Sequence, residues 1–399
     1  SPAQHWVATV QAELEALPNV LLLPWTTVSA SYDHQIATLV QRGDRNDWRE
    51  CLWTVHSRAT LLATGAIEQS LVFPHNDRPG IMLADAVRHY ANRYAVAAGR
   101  RVVIACNNDS AYQAAFDLHQ HGIAVAAILD QRDEVSAAML QTSRALGITV
   151  HHGAQVTSTR GGERLRGISF RQPGSSGKLR CDVLAVSGGW APRLQLWCHA
   201  RGSLQFDKQR QAFIPGQAPK GFAVVGAAAG AASLEEVLAR AETTSMQICA
   251  GLGAPVQHVH QPRVSPGDLA SPKVGARPLQ QSRQRQWLDL AHDVTLADAE
   301  LAVREGYTSV EHFKRYTTTG MSLDQGKTGN INALLALSAI TGQEVASIGT
   351  TTFRPPYMPV TLGTLAAGHT GDDYAPRRVL PAENTHRKLR ARFEDYGGW

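Results

Sequence analysis

The chain has 399 residues, 43% hydrophobic and 18% charged, which is enough apolar material for more than one packed domain. That balance excludes a disordered, collagenous or coiled-coil polypeptide. A formal charge of +5 over this length is too mild an excess for a nucleic-acid partner, and no run of about 18 apolar residues is present to cross a membrane. The opening residues, Ser1-Pro2-Ala3-Gln4-His5-Trp6, lack the basic and apolar halves of a secretory signal, so a cytoplasmic setting is expected. A start on Ser1 and an end on Gly397-Gly398-Trp399 are expected to mark a portion of something longer. Five dispersed cysteines (Cys51, Cys106, Cys181, Cys198, Cys249) with no C-x-x-C pair suit a reducing compartment and buried thiols. They argue against a disulfide framework, and no metal or iron–sulfur site is expected.

In chain order, the composition predicts a helix over Gln4 to Ala16 and a short strand at Val20–Leu23. Strand-like pieces follow at Thr26–Val28, Ile36–Val40 and Cys51–Val55. The run Leu61-Leu62-Ala63-Thr64-Gly65-Ala66 reads as a buried strand closing on a glycine turn. Residues 101–130 form the clearest α/β unit: a strand at Arg101–Ala105, a helix from Ser110 to His121 stopped by Gly122, and a second strand at Ala124–Leu129 ending on Asp130. A helix over Ala137 to Leu146, a strand at Thr149–His152 and a β-meander come next. Cys181–Gly189 and Phe222–Ala227 repeat the pattern of apolar strand and glycine turn. Ser233-Leu234-Glu235-Glu236 reads as a capping box opening a helix to about Ala250. Residues 251–280, rich in Gly, Pro, Ser and Gln, read as a linker. Beyond it, Thr295-x-x-Asp298 caps a helix to Arg304, Ile331–Thr341 forms another, and Thr341-x-x-Glu344 caps a short one.

Strand, tight turn, helix is the arrangement that offers backbone N–H groups to a pyrophosphate, and Asp130 stands where a ribose acceptor would. The glycine register, however, falls on Cys106, Asn108 and Ala111, so this unit reads either as a dinucleotide site or as a Rossmann-shaped scaffold without one. At the Gly226 turn the pair is Gly226-Ala227, where flavoproteins of this general type carry Gly-Asp; the Ser233-capped helix behind it still offers N–H groups to an anion. Asp324-Gln325-Gly326-Lys327-Thr328 is not a P-loop, since five residues separate Gly320 from Gly326 where four are needed. The pairs His151-His152 and His258/His260 lack a carboxylate or cysteine framework and read as surface or linker histidines. Arg387–Arg392 reads as a solvated basic helix face.

Three closely spaced stretches carry a resemblance: Arg315-Tyr316-Thr317-Thr318-Thr319-Gly320-Met321, Asp324–Thr328, and Gly349-Thr350-Thr351-Thr352-Phe353-Arg354-Pro355-Pro356-Tyr357. Upstream stand Tyr32-Asp33-His34, Ala63–Glu68, Phe73–Gly80, Asn107–Tyr112 and Ser187-Gly188-Gly189-Trp190. In this order they resemble the α subunit of heterotetrameric sarcosine oxidase over nearly the whole chain. The resemblance implies an α/β, disulfide-oxidoreductase-like fold with two dinucleotide-binding domains plus a smaller carboxy-terminal α-rich module. The first domain would comprise 1–97 and 195–250, incomplete for want of its first glycine-rich turn, and the second 98–194. A family-specific module at 281–380 and the start of a T-protein-like folate domain at 381–399 would follow the linker.

The same resemblance implies NAD contacts at Val28, Thr64, Gly65, Gly226, Ala227, Ala232 and Leu234. It implies an FMN at the interface with a β subunit, FAD and sarcosine oxidation on that partner, γ and δ subunits, and tetrahydrofolate in the missing carboxy-terminal domain. For the FMN side, Lys327, Thr328, Thr351 and Arg354 supply charge and hydroxyl donors; the alternative is that these motifs only build the subunit contact. Related opine or amine oxidase subunits and hydrogen cyanide synthase subunits usually carry a cysteine-rich segment after the second dinucleotide domain. Trp287–Thr295 here has no Cys, which favours the sarcosine oxidase type. A non-enzymatic docking module is the third reading. No catalytic residue is assigned, because the oxidising pocket would lie on a partner.

Overall fold

A computed structural model of the chain describes residues 2–45, 48–256, 274–369, 371 and 378–394. It divides into two compact units, Arg58–Arg354 and, separately, Ser1–Ser57 with Pro355–Trp399.

The larger unit is built on a five-stranded parallel sheet in the order Ile81–Leu83, Val183–Ser187, Arg101–Cys106, Ala124–Asp130, Val150–His151. Every residue of Val183–Ser187, and all but the first of Arg101–Cys106, is buried. Continuous apolar strands of this kind need cover on both faces. One face is covered by the helices Ala84–Tyr94 and Ser110–Gln120, which bring Val87, Ala111, Tyr112, Ala115 and Leu118 against Ile104 and Ile128. The other carries the antiparallel strands Gln155–Gly161, Leu165–Gln172 and Ser175–Leu179, whose Leu165, Ile168 and Phe170 pack on Val103, Leu129 and Leu184. The unit read from 101–130 is therefore present almost as expected, with Gly122 at φ +74° just past the helix end. Its sheet also takes in Ile81–Leu83 and the helix Ala84–Tyr94, upstream of residue 98. Cys106 and Cys181 are buried in these two cores.

Beside this sheet, Thr60–Leu62 pairs in parallel with Phe222–Val224. Both strands lead into glycines in the left-handed region, Gly65 at φ +72° and Gly226 at φ +69°. The helix Leu234–Gly251 starts at Ser233, whose Oγ accepts from the Glu236 N–H. Residues 257–273, with His258 and His260, lie outside the described residues. His151 is accounted for structurally, its Nδ1 bonding Gln172 Oε1 at 2.9 Å and its ring packing on Phe170.

A helical module completes the unit. The hairpin Trp287–Asp289 with Val294–Thr295 is followed by the helices Leu296–Arg304, Val310–Thr317, Asn330–Thr341 and Val345–Ile348, around Leu288, Phe313, Ala333 and Leu337. Thr295 and Asp298 form the expected capping box. Thr341 does not cap the last helix: its Oγ1 donates to Leu337 O inside the preceding helix, and Glu344 takes the cap position. The helix Val310–Thr317, capped by Ser309, was not foreseen.

In the smaller unit, Thr26–Tyr32, Ile36–Arg45 and Trp48–His56 form an antiparallel sheet, with helices at Pro2–Glu15, Leu362–Ala366 and Glu383–Lys388. Thr361 and Thr364 donate to the Glu50 carboxylate, which holds its pKa below the usual range. Val20–Leu23 is not a strand; Leu21 is 69% exposed, in an apolar run with no strand partner among the described residues. The Pro355–Pro356 bond is cis. In the basic tail, Arg387 pairs with Glu383 and lies over the Phe393 ring.

Candidate functional site

Two places in the larger unit bring the sequence candidates together. The first is the crevice at the carboxyl ends of the two parallel systems, lined by Ala66, Asn108, Ser110, Trp190, Ala227 and Ala232 among others. Ala227 and Ala232 thus share one wall, next to the turn that Gly226 opens. Thr64 donates its hydroxyl to Arg193 O at 2.7 Å, so it holds the chain rather than facing a ligand. Leu234 is 45% exposed on the first turn of its helix. There the Ala232 N–H donates to Glu236 Oε2 at 2.9 Å, and Glu236 pairs in turn with Arg240. Val28 belongs to the smaller unit.

The turn after Arg101–Cys106 is closed by the chain's own side chains. Arg132 is 8% exposed and lies between two carboxylates, with Nη2 at 2.7 Å from Asp109 Oδ1 and 2.8 Å from Asp130 Oδ2. Asp130, the expected ribose acceptor, is fully buried and also accepts from the Tyr112 hydroxyl at 2.9 Å. Asn108 donates to the Ser187 carbonyl and hydroxyl, and Ser110 bridges Asn108 to Trp190. Over all this runs the segment from Val274: Gly275 N–H donates to Asn107 O, and Asn107 Nδ2 donates back to Gly275 O, both at 2.8 Å. A Cβ on Gly275 would stand 2.6 Å from Arg132 Cγ, so only glycine passes. Of the two readings of this turn, the scaffold without a dinucleotide is the one the geometry favours, and Asp130 is corrected from ligand acceptor to structural anion.

The second place is the pocket beside Lys327. Asp324 organises its loop, accepting from the Gly326 N–H at 3.1 Å and from the Thr328 N–H and hydroxyl at 3.2 and 2.8 Å. Gly326 sits at φ +72°, and a Cβ there would overlap Asn330 Oδ1. Thr328 therefore donates within the loop, not to a ligand. Lys327 and Thr351 line the pocket together with Gln69, Gln195, Lys314, Phe213 and Phe313. Burial lowers the Lys327 pKa, and the Arg193 charge pushes the same way against Asp324. Arg354 is exposed immediately after Phe353, another wall residue.

Four residues that sequence reasoning missed belong to this place. Gln69 Nε2 donates to Lys327 O at 3.1 Å, across 258 residues of sequence. The Oε1 atoms of Gln69 and Gln195 and the Nε of Arg193 are buried with no hydrogen-bond partner among the described residues. His199 Nδ1 and Nε2 likewise make no hydrogen bond of normal geometry. Burial pushes the His199 pKa down to about 4, opposed by the nearby Arg354 backbone and helped to a smaller extent by the Lys327 charge. Each such orphan costs about 1–3 kcal/mol in an empty protein, and a group of them marks a place built for more than packing. No local motif announces these side chains, although Gln69 directly follows the quoted Ala63–Glu68 and Arg193 stands three residues after Trp190.

Three outcomes are expected. Arg132→Leu leaves two buried carboxylates uncompensated and lowers stability by about 3–5 kcal/mol in urea unfolding. Removing the exposed Lys208–Glu344 pair by Lys208→Ala costs under about 1 kcal/mol. His199 is neutral in the folded chain, so its unfolded form takes the proton first. Stability is full above about pH 6.5 and is lost progressively as pH falls toward about 4. His199→Gln flattens that part of the pH–stability profile.

Residues 283–369 match the sarcosine oxidase A3 domain model. The sarcosine oxidase subunit alpha of Rhizobium meliloti (strain 1021) is 36% identical over 97% of this chain and 39% of its own length. That of Corynebacterium sp. (strain P-1) is 35% identical over all of this chain and 43% of its own length. The chain thus spans about two fifths of the relatives it matches. Among solved structures, L-proline dehydrogenase from P. horikoshii superposes with a TM-score of 0.61 at 20% identity, covering 86% of this chain and 64% of that one. The fold is accordingly the α/β, disulfide-oxidoreductase-like type with a helical carboxy-terminal module, and the chain is homologous, over nearly its whole length, to sarcosine oxidase α subunits.

Proposed function

We propose that the chain is the cofactor-scaffolding part of an α subunit of a sarcosine oxidase-type flavoenzyme. In this reading it holds NAD in the crevice walled by Ala227 and Ala232. The face around Lys327, Thr351 and Arg354 abuts an FMN at the interface with a β subunit. Sarcosine would be oxidised at an FAD on that partner and oxygen reduced to peroxide. γ and δ subunits and a folate domain would complete the assembly. The domain plan is two dinucleotide-binding domains, the linker, the helical module from 281 and the beginning of a T-protein-like domain from 381.

The observation that carries the reading is the Lys327 pocket: cations and unpartnered polar atoms gathered on apolar walls. Its residues fit an anionic, aromatic cofactor. FMN, when bound, supplies the electron-accepting ring; the residues here orient it, exclude water from it and place positive charge beside it. NAD fits the small-residue wall at Ala227, whereas the Arg132-filled turn leaves no room for one there. A docking module would need neither the orphaned acceptors nor the half-buried lysine, which is why the cofactor reading is preferred. Against the cysteine-bearing relatives, Trp287–Asp289 is a buried strand of the module core with no ligating side chain for a cluster.

Denaturing the purified chain should release NAD in stoichiometric amount, and none released overturns the NAD assignment. In the assembled enzyme, Lys327→Ala and Arg354→Ala should lower FMN content with little change in thermal stability. Unchanged flavin content removes the FMN assignment. The chain by itself should produce no sarcosine-dependent peroxide.

A further inference from the structure

The two glutamines of the Lys327 pocket have a geometry that packing does not explain. Gln69 is 1% exposed and Gln195 7% exposed, and both line the pocket. Gln69 Nε2 donates to the carbonyls of Ile67 and Lys327, each at 3.1 Å, which fixes the carboxamide and decides which end is oxygen. Its Oε1 is then left without a partner, as is that of Gln195, among the described residues. A desolvated acceptor complements a ligand that brings an N–H donor. Lys314 and Lys327 stand on the same pocket, so that donor is not an ammonium, which they would repel. The flanking Phe213, Phe313 and Phe353 favour a flat ring.

We propose that this pocket recognises the imide edge of a planar heterocycle, the oxygens of Gln69 and Gln195 accepting from its N–H while Lys327 donates to an adjoining ring carbonyl. This rests on the flavin reading above, in which that edge is the pyrimidine ring of FMN, and it makes the two glutamines specificity-determining residues for the ring rather than for the phosphate. The acceptor oxygens distinguish a ring with a free imide N–H from one whose nitrogen is methylated. Gln195 is the cleaner position to alter, because Gln69 also ties Lys327 in place.

The test is titration of the full chain with lumiflavin, which has no phosphate, and with its N3-methyl derivative, followed by flavin fluorescence. Lumiflavin should bind, and N3-methylation should weaken it at least about tenfold. Gln195→Leu should weaken lumiflavin about three- to tenfold and narrow the gap between the two compounds, while leaving the melting temperature unchanged or raised, since it deletes an unsatisfied acceptor. Gln195→Glu, which keeps an acceptor, should retain the gap. Equal affinity for both compounds overturns the inference, and so does binding of FMN without measurable binding of lumiflavin; in both cases the FMN reading survives. If the assembled enzyme holds no flavin while the chain still prefers thymine to N3-methylthymine, the recognition mode stands and the flavin reading falls.

Discussion

A guanidinium clamped between two carboxylates, at the carboxyl end of a parallel sheet, organises the larger unit. Arg132 is almost wholly removed from water, and its ion pairs to Asp109 and Asp130 fill the position where an open Rossmann turn would admit phosphate. In so dry a place a single charge is untenable, so the three groups stand or fall together. Tyr112 ties Asp130 to the helix below, and Ser110 and Asn108 tie the turn to Trp190 and Ser187. The β-sheet therefore ends on a rigid polar plug, and the neighbouring crevice inherits one immovable wall.

The Lys327 pocket follows the opposite logic. Where the Arg132 cluster sets its guanidinium against two carboxylates, this pocket leaves the Gln69 and Gln195 oxygens without partners among the described residues and gathers cations with Asp324 as the acid whose charge opposes that crowding. The helical module supplies a stiff frame through Phe313, Ala333 and Leu337, and Gln69 brings the chain of the sheet-bearing part into contact with the module's loop. One part of the unit has ceased to ask for a ligand; the other is arranged as if to receive one.

Much of this was legible from sequence where the determinants are local. The strand Arg101–Cys106, the helix stopped by Gly122 and the capping box at Thr295 and Asp298 each rest on an apolar run, a left-handed glycine or a side chain three residues from its target. Lys327 was singled out by its surrounding motif. The Thr328 hydroxyl donates to Asp324, an acceptor four residues back that serves the loop itself, a bond the motif alone does not reveal. Val20–Leu23 has the composition of a strand, but a strand needs a neighbour and among the described residues it has none. Gln69 and Gln195 were invisible for a different reason: a carboxamide carries no charge pattern, and its significance arises only when folding brings it beside Lys327.

The strap at Val274–Arg277 sets where the polypeptide tolerates change in length. Val274 bonds Gln209, Gly275 is stitched to Asn107 on both its backbone groups, and further on the Gln280 side chain donates to Val156 O while its carbonyl accepts from Gln286. Residues added ahead of Val274 leave this stitching in register. Residues added between Gly275 and Gln286 would move the whole helical module along its track, carrying Lys327 away from Gln69.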